Sequence, residues 1–196
     1  AQNGEPLRPE QGYPLRLLVP GWEGNTCIKW LRRLKLVFSP LMTREETSKY
    51  TDPLGDGSSV RQFSFVMDAR SIITDPAYPR VIERGWHEIR GLAWSGRGRI
   101  TQVEVSTNGG ATWQAAELQA PVLPKAHVRF RTPWNWTGAP TEILSRATDE
   151  TGYVQPTWEV LRAARGPRTR YHQNPITSWT IEENGRVLFG ADRLRS

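Results

Sequence analysis

The sequence predicts a mainly β protein whose C-terminal part is an immunoglobulin-like β-sandwich. The 15 prolines and 17 glycines among 196 residues follow no period, and such a spread favours many short elements joined by turns. Between residues 85 and 119, alternating apolar and polar stretches recur about ten residues apart, a spacing typical of immunoglobulin-like domains. Nine tryptophans and a hydrophobic share of 37% allow an ordered core.

The N-terminal part contains a loop between two predicted strands. The apolar run over residues 15–19 predicts a buried strand, and residues 28–31 begin a second one after two glycine-containing turns. Arg16 and Lys29 flank this loop. Because glycines let the backbone come close and leave amides pointing outward, the loop suits an anionic group such as a phosphate. A solvated charge at a strand edge is the alternative for either cation.

The chain between this loop and the sandwich is predicted to hold a strand, a short helix and a linker. Alternating apolar and basic residues predict the strand over residues 31–38. Thr43 and Glu46 have the spacing of a capping box, which predicts a short helix that runs toward Tyr50. Residues 52–59 carry one proline and two glycines and are predicted to be irregular.

The C-terminal part contains most of the predicted strands. They are expected at residues 62–67, 85–96, 100–106, 127–136 and 142–149. The sequence Asn-Gly-Gly at residues 108–110 predicts a hairpin turn, and residues 157–164 have a helical pattern. Residues 179–181 and 186–189 are expected to form a last strand or an exposed arm. We place the boundary of this part near residue 66.

Charge and cysteine content limit the possible functions. The net charge is +6, but the positive residues are scattered, and only residues 162–170 form a dense basic run without a nucleic-acid-binding motif. An anionic cofactor, a small anionic substrate or an acidic protein partner explains the charge better than nucleic acid. The single cysteine excludes an internal disulfide and a multi-cysteine metal site. No apolar run is long enough for a membrane span, and the chain opens without a signal-peptide pattern.

Several motifs resemble one enzyme family. The run GYPLRLLVPGWEGNTCIKWL over residues 12–31 resembles the cofactor domain of the sulfite oxidase family of molybdenum enzymes. Its Gly-Asn-Thr and Leu-Arg-Arg variations are most similar to the molybdenum subunit of bacterial sulfane (sulfite) dehydrogenase. The segments Gly-Leu-Ala-Trp-Ser-Gly at 91–96 and Val-Ser-Thr-Asn-Gly-Gly-Ala-Thr-Trp at 105–113 resemble the family's dimerisation domain.

The resemblance implies a division into two domains. Residues 1–66 correspond to the C-terminal part of a molybdopterin-binding domain, an incomplete α+β segment, and residues 67–196 to an immunoglobulin-like dimerisation domain. The chain is therefore expected to begin within the cofactor domain. The cysteine that ligates molybdenum is then expected upstream of Ala1, and Cys27 is not that ligand. Without it, we expect the isolated chain to be inactive.

The resemblance also implies roles for individual residues. The predicted contacts to the molybdenum-molybdopterin cofactor are made by Gln11, Arg16, Cys27, Ile28 and Lys29. Tyr50 stands where the family carries an active-site tyrosine that donates a hydrogen bond near the metal. Arg165 precedes a glycine at the place of an arginine that faces the substrate oxyanion, and Arg162 and Arg168 remain alternatives. His172 is expected to be a structural histidine.

Two departures from animal sulfite oxidases separate the possible substrates. Gln11 stands where those enzymes have histidine, and Thr26 stands where they have arginine. Both changes weaken the positive field of the site, because neither side chain carries a charge. The resemblance therefore favours the sulfane dehydrogenase branch over simple sulfite oxidation.

The function implied is a two-electron oxidation of sulfite or of protein-bound sulfane sulfur, with electrons passed to a cytochrome c. The implied partners are a second copy of the chain, a c-type cytochrome subunit, and a sulfur-carrier protein or a small sulfur oxyanion. The resemblance implies a periplasmic location, with no nucleic acid and no membrane as partners. Two alternatives are a non-catalytic immunoglobulin-like interaction module and the molybdenum region of a nitrate reductase.

Overall fold

The computed structural model describes residues 1–39, 41, 43–54 and 60–190. Its strands lie in one hairpin and two larger sheets. They are β1 (Thr51–Pro53), β2 (Arg61–Phe63), β3 (Arg70–Asp75), β4 (Gly85–Trp94), β5 (Ile100–Ser106), β6 (Gln114–Ala115), β7 (Glu117–Gln119), β8 (Val128–Trp136), β9 (Thr141–Asp149), β10 (Ser178–Ile181) and β11 (Val187–Phe189). The helices are α1 (Arg44–Ser48) and α2 (Trp158–Arg165).

The two larger sheets form the predicted immunoglobulin-like sandwich. One sheet has the strand order β3-β4-β8-β7 and the other β11-β10-β9-β5-β6. All neighbouring strands whose register is defined are antiparallel. The first order corresponds to strands A, B, E and D of an immunoglobulin fold, and β10-β9-β5 corresponds to G, F and C. The fold class expected from the sequence is therefore confirmed.

The sandwich core is built from the inward side of each strand. Along β8, Val128, Phe130 and Trp134 are buried while Arg129 and Asn135 are exposed. This alternation follows from the strand period of two residues. Burying one large apolar side chain stabilises the fold by about 1.5–3 kcal/mol, so these positions dominate the stability of this part.

The N-terminal segment is extended but contains none of the predicted strands. The Leu17 N–H donates to the Ile28 carbonyl and the Leu31 N–H to the Leu15 carbonyl, each over 2.9 Å. Two hydrogen bonds therefore pair the flanks of the loop without a regular ladder. The predicted strand over residues 31–38 is wrong. In the described chain no neighbouring strand pairs with it, and a strand needs a partner for its backbone groups.

The N-terminal segment docks on the start of the sandwich through its backbone. The Glu23 N–H donates to the Phe65 carbonyl over 2.6 Å, and the Gly21 carbonyl accepts from the Met67 N–H over 3.0 Å. A Cβ atom at Gly21 would lie 2.4 Å from the Gly96 carbonyl oxygen. Only glycine permits this approach, because no real Cβ contact is so short.

Both helices begin where the sequence predicts. The Thr43 hydroxyl accepts from the Glu46 N–H, and the Thr157 hydroxyl accepts from the Val160 N–H. These are N-cap hydrogen bonds, which satisfy backbone donors left free in the first turn. After α2 the chain returns toward the N-terminal segment before it enters the β10–β11 hairpin. In the described part of the chain, no helix has the length and apolar character that a membrane crossing requires.

Candidate functional site

The loop predicted to bind phosphate has its two cations on one surface. The Arg16 guanidinium donates to the Gln11 carbonyl over 3.3 Å. Gly12 lies against Lys29, since a Cβ atom at Gly12 would be 3.0 Å from the Lys29 Cα and Cβ atoms. Gln11, Arg16 and Lys29 are therefore neighbours in space.

Donors on this loop are left without acceptors among the described residues. The Arg16 Nε atom is buried and makes no hydrogen bond. The backbone N–H groups of Ile28 and Lys29 donate to no described acceptor, whereas the Cys27 N–H donates to the Gly24 carbonyl over 3.1 Å. Buried donors are normally satisfied, so the Arg16 Nε atom fits a ligand that accepts hydrogen bonds. Ile28 and Lys29 are exposed, so their N–H groups are open to water or to the same ligand. A phosphate has both the charge and the acceptor oxygens required.

Cys27 has a packing environment on the same loop. Its free thiol is half-buried, with the Sγ atom 3.9 Å from the Val19 carbonyl oxygen. Within the described residues, no group of three or more His, Cys, Asp and Glu side chains is arranged to hold a metal ion. The contribution of Cys27 to the loop is therefore its backbone position and a weakly polar side chain.

Tyr50 is linked to the loop through a second tyrosine. The rings of Tyr50 and Tyr171 pack edge to face with their centroids 5.5 Å apart. The Tyr171 hydroxyl donates to the Asn25 Oδ1 atom over 2.9 Å, and Asn25 lies in the turn that precedes Cys27. Burial, with nearby Glu23, raises the pKa of Tyr171 to about 12, so this hydroxyl remains a donor at neutral pH.

Arg165, at the C-terminal end of α2, reaches back to the start of the sandwich. Its Nη1 atom donates to the Ser64 hydroxyl over 2.9 Å, and its Nη2 atom lies 3.9 Å from Asp68. The side chain is only 18% exposed. Of the two alternatives, Arg162 is half-buried on α2 and Arg168 is exposed. Arg165 is thus held in place by contacts with both Ser64 and Asp68.

Asp68 joins three cationic groups that are far apart in sequence. Its Oδ1 atom accepts from the Arg97 Nε atom over 2.7 Å, and its Oδ2 atom lies 3.0 Å from the His172 Nε2 atom. On the other side of the imidazole, Nδ1 lies 3.6 Å from Glu23. These imidazole contacts are close ion pairs rather than aligned hydrogen bonds. Together with Arg165, they form a buried charge cluster that the sequence analysis did not predict.

The charge cluster shifts the pKa values of its members in opposite directions. Burial works to raise the pKa of Asp68, but His172 and Arg97 outweigh it and hold that pKa below its usual range. Burial works to lower the pKa of His172, but Asp68 and Glu23 outweigh it and raise that pKa. Both shifts favour the charged forms. His172 is structural, as expected, but as one half of a charged pair.

Asp52 holds the segment that carries Tyr171 and His172. Its fully buried carboxylate accepts from the backbone N–H groups of Arg170, Tyr171 and His172, at 2.6, 2.8 and 3.1 Å. The Thr169 hydroxyl adds a fourth hydrogen bond over 3.0 Å. Burial opposes ionisation, yet these donors together lower the pKa of Asp52. The sequence analysis placed Asp52 in an irregular linker, because its partners lie more than a hundred residues away.

The predicted site residues thus fall into two neighbouring groups. The first contains the loop residues Gln11, Arg16, Cys27, Ile28 and Lys29, and the second contains Tyr50 and Arg165. Two links join the groups, Tyr171 to Asn25 and His172 to Glu23. Among the described residues, no hydrogen bond or ion pair connects Arg16 or Lys29 directly with Tyr50 or Arg165. Their convergence on one pocket stays a prediction.

Comparison with family models identifies both parts of the chain. Residues 61–178 match the Mo-co oxidoreductase dimerisation domain. Residues 1–44 match the oxidoreductase molybdopterin binding domain.

Known proteins with similar sequences and structures are molybdenum enzymes. The crystal structure of the sulfane dehydrogenase SoxCD from Paracoccus pantotrophus is 49% identical, with a TM-score of 0.88, over 95% of this chain and 48% of that chain. Mitochondrial sulfite oxidase from Mus musculus is 32% identical over 79% of this chain and 31% of its own length. Inducible nitrate reductase [NADH] 1 from Glycine max is 30% identical over 82% of this chain and 21% of its own length.

This chain therefore spans between about a fifth and a third of the length of these two curated relatives. The matched regions cover both the loop predicted to bind phosphate and the sandwich, so the likeness does not rest on the common immunoglobulin-like fold alone. The chain belongs to the sulfite oxidase family of molybdenum-cofactor oxidoreductases, with residues 61–178 in the dimerisation domain and residues 1–44 in the molybdopterin-binding domain.

Proposed function

We propose that this chain serves a molybdenum-dependent dehydrogenase that oxidises sulfite or protein-bound sulfane sulfur by two electrons. The observation that carries this proposal is the likeness to the sulfane dehydrogenase SoxCD, at 49% identity over 95% of the chain. Gln11 and Thr26 support the sulfane branch, because both replace charged or chargeable side chains of animal sulfite oxidases with neutral ones.

Five loop residues would hold the phosphate of the pterin cofactor. Arg16 offers a forked guanidinium whose Nε atom has no described acceptor, and Lys29 offers a point charge. The N–H groups of Ile28 and Lys29 add backbone donors, while Gln11 and Cys27 shape the loop around them. When bound, the molybdenum cofactor supplies the two-electron redox chemistry, which no side chain of this chain can supply.

Arg165 and Tyr50 would act on the anionic substrate. In the charge cluster, Arg97, Arg165 and His172 face two carboxylates, Asp68 and Glu23. The Arg165 guanidinium lies 3.9 Å from Asp68 and bonds the neutral Ser64 hydroxyl, so it would offer further N–H donors to an anion. The Tyr50 hydroxyl would donate a hydrogen bond that orients the bound substrate.

The domain division and the partners belong to the same proposal. We place the boundary at residue 66, where the chain passes from the docked N-terminal segment into β3. The match to a dimerisation domain supports a homodimer formed through residues 67–196. The proposal also includes a c-type cytochrome subunit as electron acceptor, a sulfur-carrier protein as substrate and a periplasmic location.

The test uses the cofactor-loaded enzyme that contains this chain. We expect cytochrome c reduction that depends on sulfite or on a carrier-bound sulfane, together with one molybdenum per chain by metal analysis. Arg16→Gln is expected to lower the molybdenum content, because it removes the buried donor on the loop. The control is Arg32→Gln, an exposed cation just beyond the loop, which should retain the metal. Absence of turnover from a fully loaded enzyme with both sulfur substrates would contradict the proposal.

A further inference from the structure

A concave surface lies beside Tyr171, on the side of β1 and the segment that follows α2. It encloses about 410 Å³ and is lined by polar and charged side chains. Its lining includes the cations Lys49, Arg61, Arg168 and Arg170, and a single carboxylate, Asp52. We call it the arginine cleft. Of the residues predicted to bind the cofactor or to act in catalysis, Arg168, an alternative to Arg165, lines it and the others do not.

Arg61 is fixed in the arginine cleft without a described carboxylate partner. Its Nε atom donates to the Thr51 hydroxyl over 2.5 Å, and its Nη2 atom donates to the Thr51 carbonyl over 2.8 Å. Both acceptors are neutral, so these bonds orient the guanidinium without themselves compensating its charge. The orienting contacts come from the strand that also carries Asp52.

The remaining charges of the cleft leave a positive excess. Lys49 is paired with Glu45 over 2.6 Å, so that pair is neutral. Arg168 and Arg170 are exposed, and neither side chain pairs with a carboxylate among the described residues. The Asp52 carboxylate is already occupied by four hydrogen bonds. Three guanidiniums therefore face one carboxylate that has no free acceptor directed at them.

We propose that the arginine cleft binds a small tetrahedral oxyanion of the sulfate or sulfonate class. Guanidiniums recognise such anions through paired N–H donors, and three of them meet here at one concave surface. The size of the cleft suits a small hydrated anion. Tyr171 is held at the wall of the cleft by two hydrogen bonds, from its hydroxyl to Asn25 and from its backbone N–H to Asp52.

This site is distinct from the proposed cofactor loop and from Arg165. In the proposed function, the oxyanion would be a sulfur substrate or product held next to the Tyr50–Tyr171 pair. The identification of the oxyanion as a sulfur substrate or product rests on the proposed function. The binding of an oxyanion in the arginine cleft does not. A binding measurement on the chain without cofactor therefore tests the cleft, and turnover by the loaded enzyme tests the function.

The experiment is isothermal titration of the chain with sulfate, thiosulfate and phosphate at constant ionic strength, with chloride as the reference anion. We expect saturable binding of one tetrahedral anion per chain. The double variant Arg168→Gln/Arg170→Gln should weaken binding at least about tenfold, since it removes two charged hydrogen-bond donors from the cleft. Arg129→Gln, which removes an exposed arginine from the outer face of β8, is the matched control and should bind like the parent chain.

Thermal unfolding of each variant accompanies the titration. Arg168 and Arg170 are exposed, so the double variant should unfold at the temperature of the parent chain. Arg61→Gln provides a second test from another strand and should also weaken sulfate binding. The proposal is overturned if no tetrahedral anion binds more tightly than chloride, or if the folded double variant binds as the parent chain does. Tighter phosphate than sulfate binding would confirm an oxyanion site but contradict its assignment to sulfur anions.

Discussion

The sandwich and the N-terminal segment of this chain are stabilised by different interactions. In the sandwich, β4 and β8 pair continuously from Gly85 with Trp136 to Ala93 with Val128, above a buried apolar core. The N-terminal segment packs through a few backbone hydrogen bonds and one charge cluster. Many of its apolar side chains are exposed, and Leu36 and Phe38 are fully exposed in the described structure.

This difference separates the part that determines the fold from the part that carries the candidate chemistry. Apolar packing tolerates changes of pH and salt, because it involves no charge. A buried charge cluster responds to pH and to the loss of any one member, because each charge then lacks compensation. Stability of the sandwich should therefore depend on shape, and attachment of the N-terminal segment should depend on ionisation.

The largest expected effect compares the same residue type in the two regions. Phe130→Ala empties a fully buried position in β8 and should lower the free energy of unfolding by about 3–5 kcal/mol. Phe38→Ala, at an exposed position of the N-terminal segment, is the matched control and should change it by less than about 0.5 kcal/mol. Denaturant unfolding measures both values. Equal losses would show that the N-terminal segment contributes to a common core, against the comparison drawn here.

A smaller effect is expected at the charge cluster. Asp68→Asn leaves Arg97, Arg165 and His172 without their shared carboxylate and should cost about 2–3 kcal/mol. Glu150→Gln is the control, because it removes an exposed partner of Arg99 and should cost less than about 1 kcal/mol. Unfolding curves give both numbers. A cost for Asp68→Asn no greater than that of its control would show that the charge cluster does not stabilise the fold.

The smallest effect is a pH dependence. The folded-state pKa of His172 is raised, so its stabilising contribution is complete below the unfolded-state value of about 6.5 and is lost as pH rises through the folded-state value. The pKa of Asp68 is lowered, so its own contribution changes only in acid. Across pH 6 to 9 the stability advantage of the parent chain over His172→Gln should therefore shrink. An advantage that stays constant over this range would refute the pairing of His172 with Asp68 and Glu23.

Local patterns were enough to predict the sandwich. Alternation over residues 100–106 and the Asn-Gly-Gly turn at 108–110 depend on neighbours in sequence, and the structure confirms the strand β5 at the same residues. The N-cap threonines Thr43 and Thr157 are equally local. The failure over residues 31–38 has a physical cause. Alternation predicts a strand only where a partner is available, and no described strand lies beside it.

The candidate site could be predicted only in part. Arg16 and Lys29 belong to a motif that is continuous in sequence, so the sequence alone predicted the loop and the residues beside these two cations. Asp52 and Asp68 are single carboxylates without a motif. Their partners, such as His172, lie about a hundred residues further along the chain. No sequence signal marks such a pair, and for His172 the sequence predicted only a structural role.

The amino-acid sequence by itself determined the fold class, the helix starts and the cation-flanked loop, because each depends on interactions within a few residues or on a binary apolar pattern. Only the tertiary structure decided which charges meet. The arginine cleft forms where β1 and β2 meet the segment after α2, and the cluster around Asp68 forms where that segment meets the residue pair Asp68 and Arg97. Two charged groups interact when they are close in space. Their separation along the chain does not show whether folding will bring them close.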